Sequence, residues 1–284
     1  MQQVIKSVFT ANTPPGIAKV RLDNVGKTYA ERAEIRAVEV LADINITVAE
    51  GEFVSLVGPS GCGKSTILKL ISGLVSPSRG SIRVDGDEVS GPALGIGFMF
   101  QRDALLPWAT VAENISIGLD LGKYPDAQRH HRLAELIQLV GLEGFEEFYP
   151  SSLSGGMRHR VSLARTLAYD PSVFLMDEPF GALDAHTKII LGSEFLRIWS
   201  KHRRTALFVT HDIAEAITMS DRVIVMSSRP GKVVAQFHIN LPRPRDFVAV
   251  RGTERYSTLY QEIWAALMNG NSGTQPDHPI VINQ

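Results

Sequence analysis

Short runs of apolar, largely β-branched residues punctuate the chain at Phe53–Val57, Val173–Met176, Ala206–Thr210 and Val223–Met226. Between them lie longer stretches in which apolar positions recur at helical spacing. Continuous rather than alternating hydrophobicity is what a strand buried on both faces requires, so this alternation predicts a largely parallel sheet covered by helices. Two regions follow a different pattern. Over residues 18–57 and 80–90 the text is strand-like (Val20, Leu22; Ile44, Ile46, Val48; Ser81–Val84) with a turn signal at Asp85-Gly86, which predicts an antiparallel layer beside the core. From about 102 to 169 it reads as helical, with Leu133, Leu136, Ile137 and Val140 at helix spacing and Gly141 where a helix would end. Leu259, Ile263, Trp264 and Leu267 predict a packed helix over Tyr256–Met268. Residues 1–16 read as a flexible leader and 270–284 as a frayed, disordered tail. The expected organisation is one α/β domain over 17–250, with a helical subdomain at about 102–169, followed by a C-terminal segment over 251–284.

Composition narrows the partners. With 284 residues, 44% of them hydrophobic, the chain can bury a sizeable core. Lys+Arg 29 against Asp+Glu 30 gives a net charge of -1, so no basic field recommends nucleic acid as a partner. One cysteine excludes an intrachain disulfide and agrees with a reducing compartment. The N-terminus lacks the charged start and apolar run of a signal peptide, and no apolar stretch approaches the roughly 20 residues of a membrane-spanning helix. A role at a membrane is therefore expected to work through docking onto proteins already there.

The strand Phe53–Val57 leads directly into Gly58-Pro59-Ser60-Gly61-Cys62-Gly63-Lys64-Ser65-Thr66, and a helical pattern follows. This is G-x-x-x-x-G-K-[ST] in its strand–loop–helix setting. Glycines at 58, 61 and 63 let the backbone curl so that successive N–H groups converge on a polyphosphate, with the helix N-terminus adding partial positive charge. Lys64 is placed to neutralise β- and γ-phosphates and the Ser65 hydroxyl to ligate Mg²⁺. A second apolar strand, Val173–Met176, ends in Asp177-Glu178-Pro179. Asp177 fits the second Mg²⁺ contact of phosphate-loop NTPases, and Glu178, pointing differently, fits a general base that polarises the attacking water. His211, after the strand Ala206–Thr210, can reach a γ-phosphate, and Gln101, after Gly97–Phe100, can contact Mg²⁺ or the water. Taken singly, these last two residues read better as a structural histidine and a capped surface amide.

Leu153-Ser154-Gly155-Gly156-Met157 opens an amphipathic helix and lies between the phosphate loop and the Asp-Glu strand. That order, with Gln101 and His211 in place, resembles the ATP-binding-cassette (ABC) family over about residues 18–265. Within it the chain is similar to the ATPase subunits of the nitrate/sulfonate/taurine group of importers, through the stretches Phe100–Trp108, Met176–Ala185, Phe208–Ala216, Ser228–Lys232 and Leu241–Arg245, the last of which the catalytic core does not need. The resemblance implies an α/β fold: a P-loop NTPase (ABC ATPase) core with an antiparallel β subdomain and a helical subdomain. It implies that Tyr29 stacks on adenine, and that Ser154, Gly155 and Gly156 bind the γ-phosphate of ATP held by a second copy. It places Asp184 at the dimer seam, His211 on the γ-phosphate, and Gln101 between the metal and the groove for a membrane subunit. The cofactors implied are ATP and Mg²⁺. The partners are a second copy, two transmembrane permease subunits and, indirectly, a solute-binding protein for a small, anionic solute. The location implied is peripheral, at the cytoplasmic face of the inner (plasma) membrane.

Three positions depart from the commonest family pattern: Met157 and His159, where Gln is usual, and Gly181, where Ser is frequent. His159 reads as a surface change that slightly alters contacts across the dimer. An alternative, a soluble ABC ATPase acting on nucleic acid or ribosomes, fits poorly with a single phosphate loop and a modest helical insertion. A small-molecule kinase sharing the loop has no use for Leu153–Met157.

Overall fold

The computed structural model describes residues 18–30, 37–271 and 280–282. In chain order the elements are β1 (Ala18–Ala30), β2 (Ala37–Ala49), β3 (Phe53–Val57), α1 (Lys64–Ile71), β4 (Arg79–Val84), β5 (Asp87–Glu88), β6 (Ile96–Met99), α2 (Val111–Leu121), α3 (Asp126–Leu139) and α4 (Gly155–Tyr169). These are followed by β7 (Val173–Asp177), α5 (Ala185–His202), β8 (Thr205–Val209), α6 (Ile213–Met219), β9 (Arg222–Met226), β10 (Val233–His238), α7 (Glu254–Asn271) and β11 (Ile280–Ile282).

The strands form two sheets. One has the order β2-β1-β4-β5 and is antiparallel, as the alternation over 18–57 and 80–90 predicts. The other has the order β11-β10-β9-β3-β8-β7-β6, and its strands from β9 to β6 run parallel. Every residue of β3, β7, β8 and β9 is buried, which is why these strands read as unbroken apolar runs. Because β3 sits between β8 and β9, the loop after it emerges in the middle of the sheet's C-terminal edge, where open α/β sheets place their ligands.

Two hydrophobic layers flank this sheet. On one, Val54 and Leu56 join Ile67, Leu68 and Ile71 of α1 and then Val20, Ile44 and Ile46 of the antiparallel sheet, so the two sheets share a core. On the other, Phe53 meets Trp199 edge-on at 5.3 Å between ring centroids and Phe195 at 6.2 Å, a geometry contributing about 1 kcal/mol per pair beyond area burial.

The helical insertion begins later than its sequence suggests. Residues 102–110 are not helical; they are held by Asn114, fully buried, whose amide donates to the carbonyls of Leu106, Ala109 and Thr110 at 2.9–3.2 Å. At the start of α2 the Thr110 hydroxyl accepts from the Glu113 N–H and the Glu113 carboxylate accepts from the Thr110 N–H, a reciprocal cap. Gly141, at φ 60°, ends α3 as its position predicts.

The C-terminal segment departs from expectation. Ile280–Ile282 lies in the stretch read as a disordered tail, yet it pairs in parallel with β10, Ala235 opposite Ile280 and Phe237 opposite Ile282. A β-branched triplet meeting an open strand edge satisfies that edge's N–H and C=O groups, which the Gly- and Pro-rich flanks obscured. The leader at 1–16 and residues 272–279 of the tail lie outside the described residues. The stretch Leu241–Arg245 also acquires a role. Arg243 donates to Asp221 at 2.9 Å and to the Met219 carbonyl at 2.8 Å. Arg245, buried, donates to the carbonyls of Ile217, Thr218, Ser220, Ile239 and Leu241. Burial pulls its pKa down to about 10, which still leaves it charged at neutral pH. One cation thus pins the end of α6 to the end of β10.

Candidate active site

Between β3 and α1 the chain turns through Gly61 at φ 77° and Gly63 at φ 101°, the latter standing immediately before α1. A Cβ at Gly63 would lie 2.5 Å from the Leu41 side chain, so both the backbone angle and the close approach of β2 require glycine there. The Lys64 ammonium, buried, is held by the carbonyls of Gly58 at 2.7 Å and Pro59 at 2.9 Å, with the Cys62 sulfur at 3.8 Å. Gly58, Pro59 and Cys62 therefore back the loop, and burial pushes the Cys62 thiol up, away from a reactive thiolate.

In front of the loop lies a cleft of about 650 Å³. Its walls include Tyr29, Val38 and Val40 from the antiparallel sheet, Ser60, Gly61 and Gly63–Thr66 from the loop and α1, and Gln101, Glu178 and Arg229. The Ser65 hydroxyl donates to Asp177 Oδ1 at 3.0 Å, joining the start of α1 to the end of β7. Burial raises the Asp177 carboxyl above its usual range, opposed by the Ser65 hydrogen bond, so a cation at this point would relieve a desolvated charge.

Glu178 takes φ 50°, a left-handed angle unusual for a residue other than glycine, and its N–H donates to the Val209 carbonyl at 2.9 Å. From that turn its carboxylate lines the cleft. There Glu178 Oε2 accepts from Gln101 Nε2 at 3.2 Å and lies 3.4 Å from His211 Nδ1. His211 itself is presented by a fixed turn: the Thr210 hydroxyl donates to Glu215 at 2.7 Å and accepts from the Asp212 N–H at 3.0 Å, while Asp212 caps α6.

Ser154, Gly155, Gly156 and Asp184 are not part of this cleft. Ser154 caps α4, its hydroxyl accepting from the Met157 N–H at 3.2 Å, and it is exposed together with Gly155. Asp184 caps α5 through the N–H groups of His186 and Thr187, and the Thr187 hydroxyl, the main cause, holds its carboxyl below the usual range. The two helix starts adjoin: a Cβ on Gly156 would sit 3.6 Å from Leu183 and 4.0 Å from the Ala182 carbonyl. They present one outward face.

Comparison with known proteins decides what this arrangement is. The family model described as ABC transporter matches residues 41–181. An aliphatic sulfonates import ATP-binding protein of Bacillus cereus is 46% identical over 226 residues, 80% of this chain and 88% of that one. The chain belongs to the ABC transporter family, as one of its ATPase subunits. An uncharacterized ABC transporter ATP-binding protein of Methanocaldococcus jannaschii is 46% identical over 236 residues, 83% of this chain and 88% of its own length. A solved ATP-binding cassette, dimeric and bound to ADP and Pi in a post-hydrolysis state, superposes with a TM-score of 0.70 at 33% identity, over 78% of this chain and all of that one.

Two features of this ABC ATPase were not legible as site chemistry. Arg229 lines the cleft, and although its stretch Ser228–Lys232 signals the subgroup, nothing in the sequence marks the side chain as facing a ligand. Lys69, one turn beyond the loop, lines it as well. One expectation is corrected: His159 is not a surface residue but only 3% exposed, on the inner side of α4. Burial lowers its pKa and so favours the neutral ring, the form a helix face packed against the core accommodates. Among the described residues no helix is long and apolar enough to cross a membrane.

Proposed function

We propose that this ABC ATPase powers import of a small anionic, sulfonate-like solute by closing a two-copy sandwich on ATP. The observation that carries this reading is the division of the site: a cleft with loop, lysine and carboxylates on one face, and an exposed helix start, Ser154–Gly156, outside it. In the reading, Tyr29 stacks on adenine, the backbone of Gly58–Thr66 and Lys64 hold the phosphates, and Ser154–Gly156 of a second copy complete the shell around the γ-phosphate. Glu178 accepts a proton from the attacking water, and His211 holds the γ-phosphate and orders that water. Asp184 lies at the seam. Mg²⁺ fits the hydroxyl–carboxylate pair Ser65–Asp177, both hard oxygen donors, and Gln101, which lines the same cleft as Ser65, would add its side-chain oxygen. When bound it neutralises charge on the β- and γ-phosphates.

Loss of phosphate removes the negative charge that the two copies share, so the sandwich opens. That motion is passed to two permease subunits, fed by a solute-binding protein, with this chain peripheral at the cytoplasmic face. Support for the sulfonate assignment comes from the import proteins of Bacillus cereus, 46% and 45% identical, and support for the sandwich from the dimeric cassette that holds ADP and Pi. The test is hydrolysis by the chain assembled with its permease in proteoliposomes. Sulfonate-loaded binding protein is expected to raise the rate several-fold; stimulation by an unrelated solute and none by alkanesulfonates would reject the assignment.

A further inference from the structure

The segment joining β9 to β10 threads between the two walls of the cleft. Because β9 runs parallel to β3, with Val225 opposite Val57, the residues after it travel beside the phosphate loop. At Gly231 the chain touches both sides: its N–H donates to the Val40 carbonyl at 2.9 Å, its carbonyl accepts from the Ala42 N–H at 3.0 Å, and a Cβ there would fall 2.0 Å from the Cys62 carbonyl oxygen. The base of this loop is closed by buried Ser227, whose hydroxyl donates to Ser228 and Pro230 carbonyls and accepts from the Lys232 N–H at 3.0 Å. A rigid, glycine-dependent strap therefore ties the phosphate loop to the sheet carrying Tyr29, and Arg229 stands at its exposed tip.

Arg229 reaches the Gly61 carbonyl with Nε at 3.3 Å and with one terminal nitrogen at 3.2 Å. A guanidinium has five N–H donors, so this contact leaves others facing the cleft it lines. Among the described residues no carboxylate pairs with it. Lys64, by contrast, is buried against the loop's own carbonyls. We infer that Arg229 is a second phosphate-binding cation of this site, gripping the nucleotide's phosphate chain while it buttresses the loop through Gly61. Its planar fork suits phosphate oxygens, and its position on the strap makes phosphate grip depend on the same loop that fixes the adenine wall.

This inference rests on the cleft being the ATP site, and the test separates the two. Affinity for ATP, ADP and adenosine is measured by equilibrium titration for the wild type, Lys64→Ala, Arg229→Ala, Arg229→Gln and Arg229→Lys. Expected is a loss of about tenfold or more for ATP and ADP in Arg229→Ala and Arg229→Gln, little change for adenosine, and partial recovery in Arg229→Lys. Glutamine can still donate to the Gly61 carbonyl but carries no charge. Wild-type affinity for ATP in Arg229→Gln, or an equal loss for adenosine, would reduce Arg229 to a loop buttress and overturn the inference. If Lys64→Ala too binds ATP normally, the assignment of the cleft falls with it; if Lys64→Ala alone loses ATP, only the role of Arg229 falls.

Discussion

The cleft at the ends of β3 and β7 and the start of α4 are made from similar materials, glycines, a serine and the N-terminus of a helix, yet they differ in where their partners are. In the cleft the groups read as catalytic and metal-binding are answered within the chain: Lys64 by Gly58 and Pro59, Ser65 by Asp177, Glu178 by Gln101 and His211. At the start of α4 the Ser154 hydroxyl accepts from the Met157 N–H and the Ser154 carbonyl from the Arg158 N–H, and Gly155 is exposed. Helix-start N–H groups are anion sites wherever they are free, so the first region reads as a site assembled in advance and the second as one offered to another molecule. In the proposed sandwich the two regions meet across two copies.

The largest effect expected falls on the assembled half. Glu178→Gln should reduce phosphate release by roughly 10²–10⁴-fold with ATP affinity retained, and it should trap a dimer on size-exclusion chromatography in ATP. Normal turnover would remove Glu178 from the chemistry. A control that belongs to neither half is Arg245→Met. It strips several buried carbonyls of their donor and is expected to cost about 3 kcal/mol in urea unfolding, while ATP affinity of the folded fraction stays near wild type. Unchanged stability would mean those carbonyls find other donors.

The smallest effect concerns α4 just below its exposed start. Because burial holds the folded His159 pKa below its ordinary value, the unfolded chain takes up the proton more readily. The sign follows: this group costs nothing well above a pH of about 6.5 and destabilises the fold as pH drops below that value, until the folded ring protonates too. His159→Gln should therefore show a shallower loss of stability toward acid than the wild type, by up to about 1 kcal/mol near pH 5, measured by chemical unfolding at several pH values. Parallel profiles would place the imidazole in water.

How much of this could be read from the sequence follows the same division. Phosphate loop, Asp177, Glu178, Gln101 and His211 all lie at the ends of the parallel strands of one sheet, and period and punctuation locate such strand ends. Arg229 was hidden because its approach to Gly61 depends on β9 lying beside β3, a pairing between residues more than 150 positions apart that no local pattern encodes. His159 was misread because helix phase alone does not say which side of α4 meets the core at its first turns. The tail strand was missed since a triplet, Ile280–Ile282, gains strand character only when an edge such as β10 is there to pair with it.

The division of the site between two copies is tested most directly by mixing. Lys64→Ala disables the cleft and leaves the start of α4 intact; Gly155→Glu does the reverse by placing a negative charge where a phosphate is to bind. Each variant alone is expected to hydrolyse ATP at least about 100-fold more slowly than the wild type, and an equimolar mixture should regain a substantial part of the activity, because half-and-half dimers contain one complete site. A mixture as inactive as its components, or a Gly155→Glu chain that hydrolyses ATP at the wild-type rate by itself, would contradict the account.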